Sequence, residues 1–316
     1  MKIQHLTYLP TERFEVKTYS IDEILKDNSE TPKALIGEGI LLQSDMLLIT
    51  GAKKSRKTFL AYNLGLALTT GKSFAGFKID SKHKVLMFSA EGGYFPNRDR
   101  LHIICKGLDI DEPENFHINF DSRLKIENNK DYDEIQERIL EFECDVLIID
   151  PFIKFHRKDE NSAQEMSYVL ERLRNLIEDY SISIILVHHQ GKEPNAGARG
   201  SSAILGEYGS CITTTKIGGD ESLKHRIEFD LRHAITPDPK NLIFNAETNW
   251  FELDISPTES ILAKYGPLSR QELVDKLLAE GHYQHQSGAY KMIDRDIKRG
   301  AIIKQSDDTY SIQTPA

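Results

Sequence analysis

A loop rich in basic residues follows a short apolar segment near residue 50, and its residue spacing suits phosphate binding. Gly51, Lys57 and Thr58 stand at the spacing of the motif GxxxxGK[ST], between the apolar run MLLIT and the helical pattern FLAYNLGLAL. In such a loop, backbone N–H groups at the helix N-terminus surround phosphate, the lysine binds the outer phosphates, and the threonine hydroxyl ligates Mg²⁺. A solvated basic turn is the alternative. We predict that ATP and Mg²⁺ bind here, with contacts from Gly51, Ala52, Lys53, Lys54, Ser55, Arg56, Lys57, Thr58 and Phe59.

One position of the loop departs from the motif, because Arg56 stands where the second glycine belongs. Two outcomes are open. A side chain there either crowds the nucleotide or swings outward, where Arg56 adds positive potential to that of Lys53 and Lys54. We predict that nucleotide binding is retained.

Acidic and imidazole side chains close the three apolar segments that follow. DVLIID ends in Asp150, which we predict to hold Mg²⁺ together with Thr58, although a surface aspartate can also close a strand. KVLMFSAEGG carries Glu91, either a carboxylate that polarises the attacking water or an ordinary acid at the end of a strand. SIILVHHQGK carries His189 and Gln190, donors suited to sensing the γ-phosphate; metal ligation and core packing are the alternatives for the histidines.

The order of these segments predicts an α/β fold. Near-continuous apolar strands alternate with amphipathic helices, which indicates a mainly parallel sheet covered by helices on both faces. Ligands then gather at the carboxyl ends of the strands. After residue 210, the segments CITTTKI, HRIEFDLRH and NLIFNAETNWFEL predict antiparallel strands that extend the sheet.

The C-terminal part has a different pattern. Helical segments at 258–264, 269–279 and 287–298 precede AIIKQ and TYSIQ, which matches a winged helix-turn-helix. We expect an N-terminal arm over residues 1–34, a core over 35–255 and this small domain over 256–316. Residues 290–299 are the expected recognition helix, although such domains also bind proteins. Its predicted DNA-contacting residues are Lys291, Arg295, Lys298 and Arg299.

Composition narrows the classes of partner. The formal charge of −9 over 316 residues argues against a uniformly basic surface, but it leaves room for local basic loops at 154–158 and 192–199. The apolar runs are strand-sized, so we expect no membrane partner. The three cysteines lack ligand spacing and no secretory signal is evident, which predicts a cytoplasmic protein.

A series of motifs, taken in order along the chain, resembles one family. The motifs are GAKKSRKT, FSAEGG, IDPF with DENSA at 159–163, VHHQGK and ARGSSA. It is the family of RepA-like hexameric replicative helicases and related plasmid and phage ATPases of the RecA-like class. The resemblance covers roughly residues 35–234. It implies a RecA-like P-loop core, a homo-oligomer that forms a hexameric ring, and ATP hydrolysis coupled to DNA. From the basic loops and the C-terminal helices themselves, single-stranded DNA is expected at the core loops and duplex DNA at the winged helix.

The same resemblance implies roles for particular residues. Glu91 would be the catalytic base, His189 and Gln190 the sensor, and Arg199 an arginine finger offered to a neighbouring subunit, with Arg232 as a second candidate. From the residues alone, Arg199 lies in a loop punctuated by glycine and proline, where a solvated charge is equally consistent. The alternative function is a nucleotide-gated DNA-binding or adaptor protein with weak or no ATP turnover.

Overall fold

The computed structural model describes residues 18–111, 113–189, 202–219 and 221–313. Contacts divide the chain into two units, residues 1–32 and 33–316. In the first unit, helix α1 (Ile21–Lys26) begins at a capping box, in which Ser20 Oγ accepts a hydrogen bond from the Glu23 amide. All other elements belong to the second unit.

Within the described residues, nine strands form one sheet in the order β3-β2-β4-β5-β1-β6-β7-β8-β9. Strands β1 to β6 pair in parallel, and β7 to β9 continue the sheet in antiparallel fashion. The strands are β1 (Met46–Gly51), β2 (Val85–Ser89), β3 (Phe116–Asn119), β4 (Val146–Asp150), β5 (Ser183–Val187), β6 (Ser210–Lys216), β7 (Lys224–Leu231), β8 (Lys240–Asn245) and β9 (Trp250–Leu253).

Helices cover both faces of this sheet. Leu47 and Ile49 of β1 lie in one buried cluster, while Met46 and Leu48 lie in another on the opposite face. A strand that buries both faces needs apolar residues at successive positions, and the near-continuous apolar strands follow from this need. The predicted parallel sheet with two covered faces is confirmed. Its helices are α2 (Lys57–Thr70), α3 (Tyr94–Gly107), α4 (Asn129–Phe142), α5 (Ala163–Tyr180) and α6 (Ser202–Glu207).

Strand β6 corrects one sequence expectation. CITTTKI was predicted to be antiparallel to the sheet, but β6 runs parallel to β1, with Gly51 opposite Thr214. The change of direction comes one strand later, where β7 pairs with β6 in antiparallel fashion. The carboxyl end of β6 therefore lies at the same edge of the sheet as the loop after β1.

The C-terminal segment forms three helices and a small antiparallel sheet. Its apolar cluster includes Ile261, Leu273 and Ile293, one residue from each helix. The three helices predicted there are confirmed, and capping boxes at Ser256 and Ser269 start the first two. The predicted boundaries at residues 34 and 255 stay predictions. The elements are α7 (Pro257–Tyr265), β10 (Leu268–Ser269), α8 (Arg270–Ala279), α9 (Gln286–Lys298), β11 (Ile302–Lys304) and β12 (Thr309–Ile312).

In the part of the chain that the structure describes, the helices are too short or too polar to cross a membrane.

Candidate functional site

A cleft of about 520 Å³ opens at the carboxyl ends of the parallel strands. Residues of the loop after β1 line it together with two acids, Glu91, which follows β2, and Asp150, which ends β4. The sheet places them there because the ends of parallel strands share one edge. The lining residues are Lys54, Arg56, Lys57, Thr58, Phe59, Glu91, Gly92, Arg100, Asp150, His189 and Lys216.

The loop between β1 and α2 is folded tightly against β6. A Cβ atom at Gly51 would lie 2.3 Å from the Thr214 carbonyl oxygen and 2.8 Å from Ser55 Oγ. The glycine is therefore required by close packing of the loop on its neighbouring strand. The loop leads directly into α2, whose first-turn N–H groups lack intrahelical acceptors and are available to an anion.

Arg56 keeps the backbone conformation that glycine would adopt most easily. It precedes α2 with φ 59° and ψ 31°, in the left-handed region, which costs a non-glycine residue about 1 kcal/mol. Its guanidinium lies 4.4 Å from the ring centre of Phe244 on β8. The side chain thus reaches across to the antiparallel part of the sheet while still lining the cleft. It adds positive potential there without changing the path of the loop.

Lys57 is held inside the loop. Its side chain is buried, and Nζ donates hydrogen bonds of 2.9 Å to the carbonyl oxygens of Gly51 and Ala52. Burial lowers the pKa of Lys57 to about 8, against the attraction of Asp150 and Glu91, which raises it. The amino group therefore releases its proton more easily than that of an ordinary lysine, and Lys57 lines the cleft.

Asp150 and Thr58 fit a hard divalent cation. Asp150 is 1% exposed and accepts a hydrogen bond from Thr58, whereas its Oδ2 is buried without a hydrogen-bond partner among the described residues. Burial raises the pKa of Asp150 to about 7; the Thr58 hydrogen bond acts to lower this pKa, and the charge of Glu91 acts to raise it. Mg²⁺ binds through one or two protein oxygens together with phosphates and water. An unsatisfied carboxylate oxygen beside a threonine hydroxyl provides that donor set.

The other predicted residues divide between the cleft and its surroundings. Glu91 is exposed at the rim, and its loop is fixed by Asn97, whose Nδ2 donates 2.8 Å hydrogen bonds to the carbonyl oxygens of Glu91 and Gly93. His189 lines the cleft. Gln190 and Arg199 lie outside the described residues. Arg232 lies away from the cleft lining and donates a 2.8 Å hydrogen bond to the Gly206 carbonyl oxygen.

Two basic residues of the cleft were missed in the sequence. Arg100 projects from α3, packs over the Phe59 ring at 5.2 Å and donates a hydrogen bond to Asn97 Oδ1. Lys216 ends β6 and reaches the cleft because β6 is parallel to β1. Arg100 could have been found from the segment NRDR, because this segment closely follows Glu91. For Lys216 the signal was hidden by the assumed antiparallel direction of β6.

A parallel sheet with a phosphate loop after one strand and a buried acid at the tip of another is the arrangement of a P-loop nucleotide-binding protein. The chain belongs to the AAA domain family, whose model matches residues 10–195. No curated protein matches the chain.

Solved structures that share this fold include the following two. One is a KaiC-like protein from the hyperthermophilic archaeon Pyrococcus horikoshii OT3, with a TM-score of 0.53 and 13% identity; the match covers 72% of this chain and 98% of that one. The other is an ATPase domain of a second protein, with a TM-score of 0.54 and 13% identity; the match covers 74% of this chain and 99% of that one. At such identity the likeness concerns the fold.

Proposed function

We propose that this chain is an ATP-hydrolysing oligomeric ATPase coupled to DNA, acting as a RepA-like helicase or DNA motor. The observation that carries the proposal is the meeting of Lys57, Thr58, Asp150 and Glu91 in one cleft. These are an ammonium for phosphate, two oxygen ligands for a cation, and a carboxylate open to solvent. The combination suits hydrolysis of a magnesium-bound triphosphate.

In this proposal each residue has a defined task. Lys57 and the amides of the loop hold the phosphates, and Thr58 and Asp150 hold Mg²⁺, which when bound neutralises phosphate charge. Glu91 accepts the proton of the attacking water, for which its exposed position at the rim leaves room. His189, which follows β5 and lines the same cleft, senses whether the γ-phosphate is present.

The proposed site is completed by a second subunit. Arg199 is the proposed arginine finger offered in trans, in a homo-oligomer that forms a hexameric ring. Arg232 is the second candidate, but its hydrogen bond to Gly206 would have to be released for it to serve. Mass measurement with and without MgATP tests this part, since a strict monomer in both conditions would leave the finger without a site to complete.

We place single-stranded DNA against the loop after β4. Lys154 and Arg157 are exposed there, while the aromatic rings of Phe152 and Phe155 are buried, with exposures of 0% and 1%. Base stacking on those rings is therefore ruled out in this conformation. The loop would contact DNA through its charges alone, as a basic groove contacts the phosphate backbone.

Duplex DNA is proposed to contact the C-terminal helices, which we interpret as a winged helix-turn-helix with α9 as the recognition helix. Its basic residues are not equivalent. Arg299 is paired with the buried Asp296 at 2.9 Å and also with Glu259, so it joins α9 to the start of α7. Lys291 and Lys298 are exposed and make no ion pair with described residues. They are the charges of α9 most available to phosphate.

The decisive experiment is steady-state ATPase activity with and without single-stranded DNA, alongside a calorimetric titration with MgATP. Turnover stimulated by DNA supports the motor. Saturable binding without turnover supports the alternative, a nucleotide-gated DNA-binding or adaptor protein, which is favoured by the strained Arg56 at a position next to the phosphates. No saturable heat at millimolar nucleotide would contradict both.

A further inference from the structure

A largely buried carboxylate lies close to two buried histidines. Glu160 Oε1 is 3.6 Å from His188 Nδ1 and 3.8 Å from His156 Nε2. Both imidazole side chains are 1% exposed and the carboxylate side chain is 11% exposed. Both separations are longer than a hydrogen bond, so the carboxylate contacts the two rings through packing and through their polar nitrogen atoms. The described residues do not combine into a metal site of three or more such ligands, so we interpret the cluster as a contact between protein segments.

One side of this cluster connects to the nucleotide cleft. His188 directly precedes His189, which lines the cleft, and adjacent residues of an extended chain point to opposite sides. The His188 amide donates a 2.8 Å hydrogen bond to the Ile49 carbonyl oxygen on β1, just before the phosphate loop. A displacement of the backbone at His189 therefore moves the His188 imidazole against Glu160.

The other side connects to the basic loop that leaves β4. His156 lies between the 3₁₀ turn Phe152–Lys154 and the start of α5, and its ring packs 4.5 Å from that of Phe152. Glu160 itself belongs to the same loop, two residues before Ser162, the N-cap of α5. The loop carries exposed Lys154 and Arg157 on its outer surface. Its inner surface is thus fixed by contacts to the end of β5, and its outer surface is open to a polyanion.

We propose that Glu160 is a positioning residue that couples the occupancy of the nucleotide cleft to the conformation of the loop formed by residues 151–162. The inference rests on the proposed binding of ATP. Through the shared carboxylate, nucleotide at His189 changes the packing of His188, and the change reaches His156 and the basic surface. The three side chains form one contiguous path of contacts between two sites, and the coupling is reciprocal, so a polyanion on the loop alters nucleotide affinity.

Hydrogen exchange on the full chain tests the coupling, with adenylyl imidodiphosphate and Mg²⁺ as the probe. In the wild type, the probe is expected to slow exchange about tenfold both in the phosphate loop, residues 51–58, and in residues 152–162. In Glu160→Gln, which keeps the size of the side chain, the phosphate loop should still slow about tenfold. Residues 152–162 should then exchange within about twofold of their nucleotide-free rate.

Three further variants make the outcome specific. Glu160→Asp keeps a carboxylate and should restore much of the response, while His156→Asn breaks only the loop side of the cluster and serves if Glu160→Gln does not fold. Glu171→Gln makes the same change at an exposed position of α5 and should behave as the wild type. A wild-type response of residues 152–162 in Glu160→Gln would overturn the coupling. So would a wild type in which only the phosphate loop responds. If the phosphate loop itself shows no response, the proposed ATP binding fails, and the coupling fails with it.

Discussion

The guanidinium of Arg56 lies over the ring of Phe244, 4.4 Å from its centre, and so ties the phosphate loop to a strand of the antiparallel part of the sheet. Phe244 in turn contacts Phe59, the residue after Thr58, with ring centres 5.0 Å apart. A cation–π contact of a partly exposed arginine contributes about 0.5–1 kcal/mol, which offsets much of the cost of the left-handed backbone at Arg56. The loop therefore keeps its shape although the motif glycine is absent.

Replacing Arg56 separates backbone strain from the side-chain contact. Arg56→Ala loses the contact to Phe244 and retains the strain, whereas Arg56→Gly loses the contact and relieves the strain. We expect the alanine variant to be less stable than the glycine variant by about 1 kcal/mol in urea unfolding. Equal stability would show that the left-handed conformation is not maintained in solution.

Glu91→Gln is expected to separate binding from hydrolysis. The amide keeps the size of the side chain but cannot accept the proton of the attacking water, so kcat should fall at least about 100-fold. Affinity for MgATP should change less than about threefold, since Glu91 lies at the rim and not in the phosphate loop. Calorimetry and single-turnover hydrolysis measure the two quantities separately. A parallel loss of affinity would assign Glu91 to binding instead.

Asp150→Asn is expected to stabilise the nucleotide-free protein and to weaken its magnesium-dependent binding. The wild-type carboxylate is fully buried, and burial raises its pKa to about 7, so above neutral pH the fold contains a charge that is poorly compensated. The neutral amide should raise the free energy of unfolding by about 1–3 kcal/mol at pH 7.5 without Mg²⁺. Asp80→Asn makes the same change at an exposed position and should have no effect. A less stable Asp150→Asn would mean that the carboxylate is better solvated than its burial indicates.

The buried imidazole of His225 should make the free energy of unfolding depend on pH. It is fully buried on β7 without a hydrogen-bond partner among described residues, and it faces the charges of Arg56 and Lys216. Burial, with those two cations, lowers the pKa of His225 from 6.5 to about 4. The unfolded chain therefore binds the proton more readily, and the free energy of unfolding should decrease as pH falls from about 6.5 to about 4, by up to about 3 kcal/mol.

Two substitutions check the assignment to this residue. His225→Leu should remove that part of the pH dependence, whereas His102→Leu, at an exposed position, should leave it in place. Chemical unfolding at several pH values measures the effect. An unchanged slope in His225→Leu would place the titrating group elsewhere.

The contribution of α9 to DNA binding can be tested by substituting Lys291 and Lys298. Replacing both with alanine should weaken binding to duplex DNA and reduce the dependence of affinity on salt, since each phosphate contact releases counterions. The matched control replaces Lys82 and Lys106, two exposed lysines outside the C-terminal helices. Binding is measured on the full chain at several salt concentrations. If both double variants bind duplex DNA alike, α9 is not the contact surface.

The fold and the centre of the cleft could be predicted from the sequence, because those features depend on patterns of neighbouring residues. The strand before Gly51, the helix after Thr58 and the acid at Asp150 follow from residues close to each of them. Arg100 and Lys216 could not be placed in the same way, because each depends on how distant segments pair. The position of Lys216 requires the register between β1 and β6, which joins residues far apart in sequence. The conformation of Arg56 also depends on a distant residue, since the stacking partner Phe244 lies on β8.

The parallel pairing of β6 with β1 also decides how short a functional piece of this chain can be. The family match ends at residue 195, before β6 begins at Ser210. A fragment cut there would expose the edge of β1 and lose the wall that carries Thr214 and Lys216, along with the ring beneath Arg56. The smallest autonomous nucleotide-binding unit should therefore extend to the end of β9, and shorter truncations should aggregate through the uncovered strand.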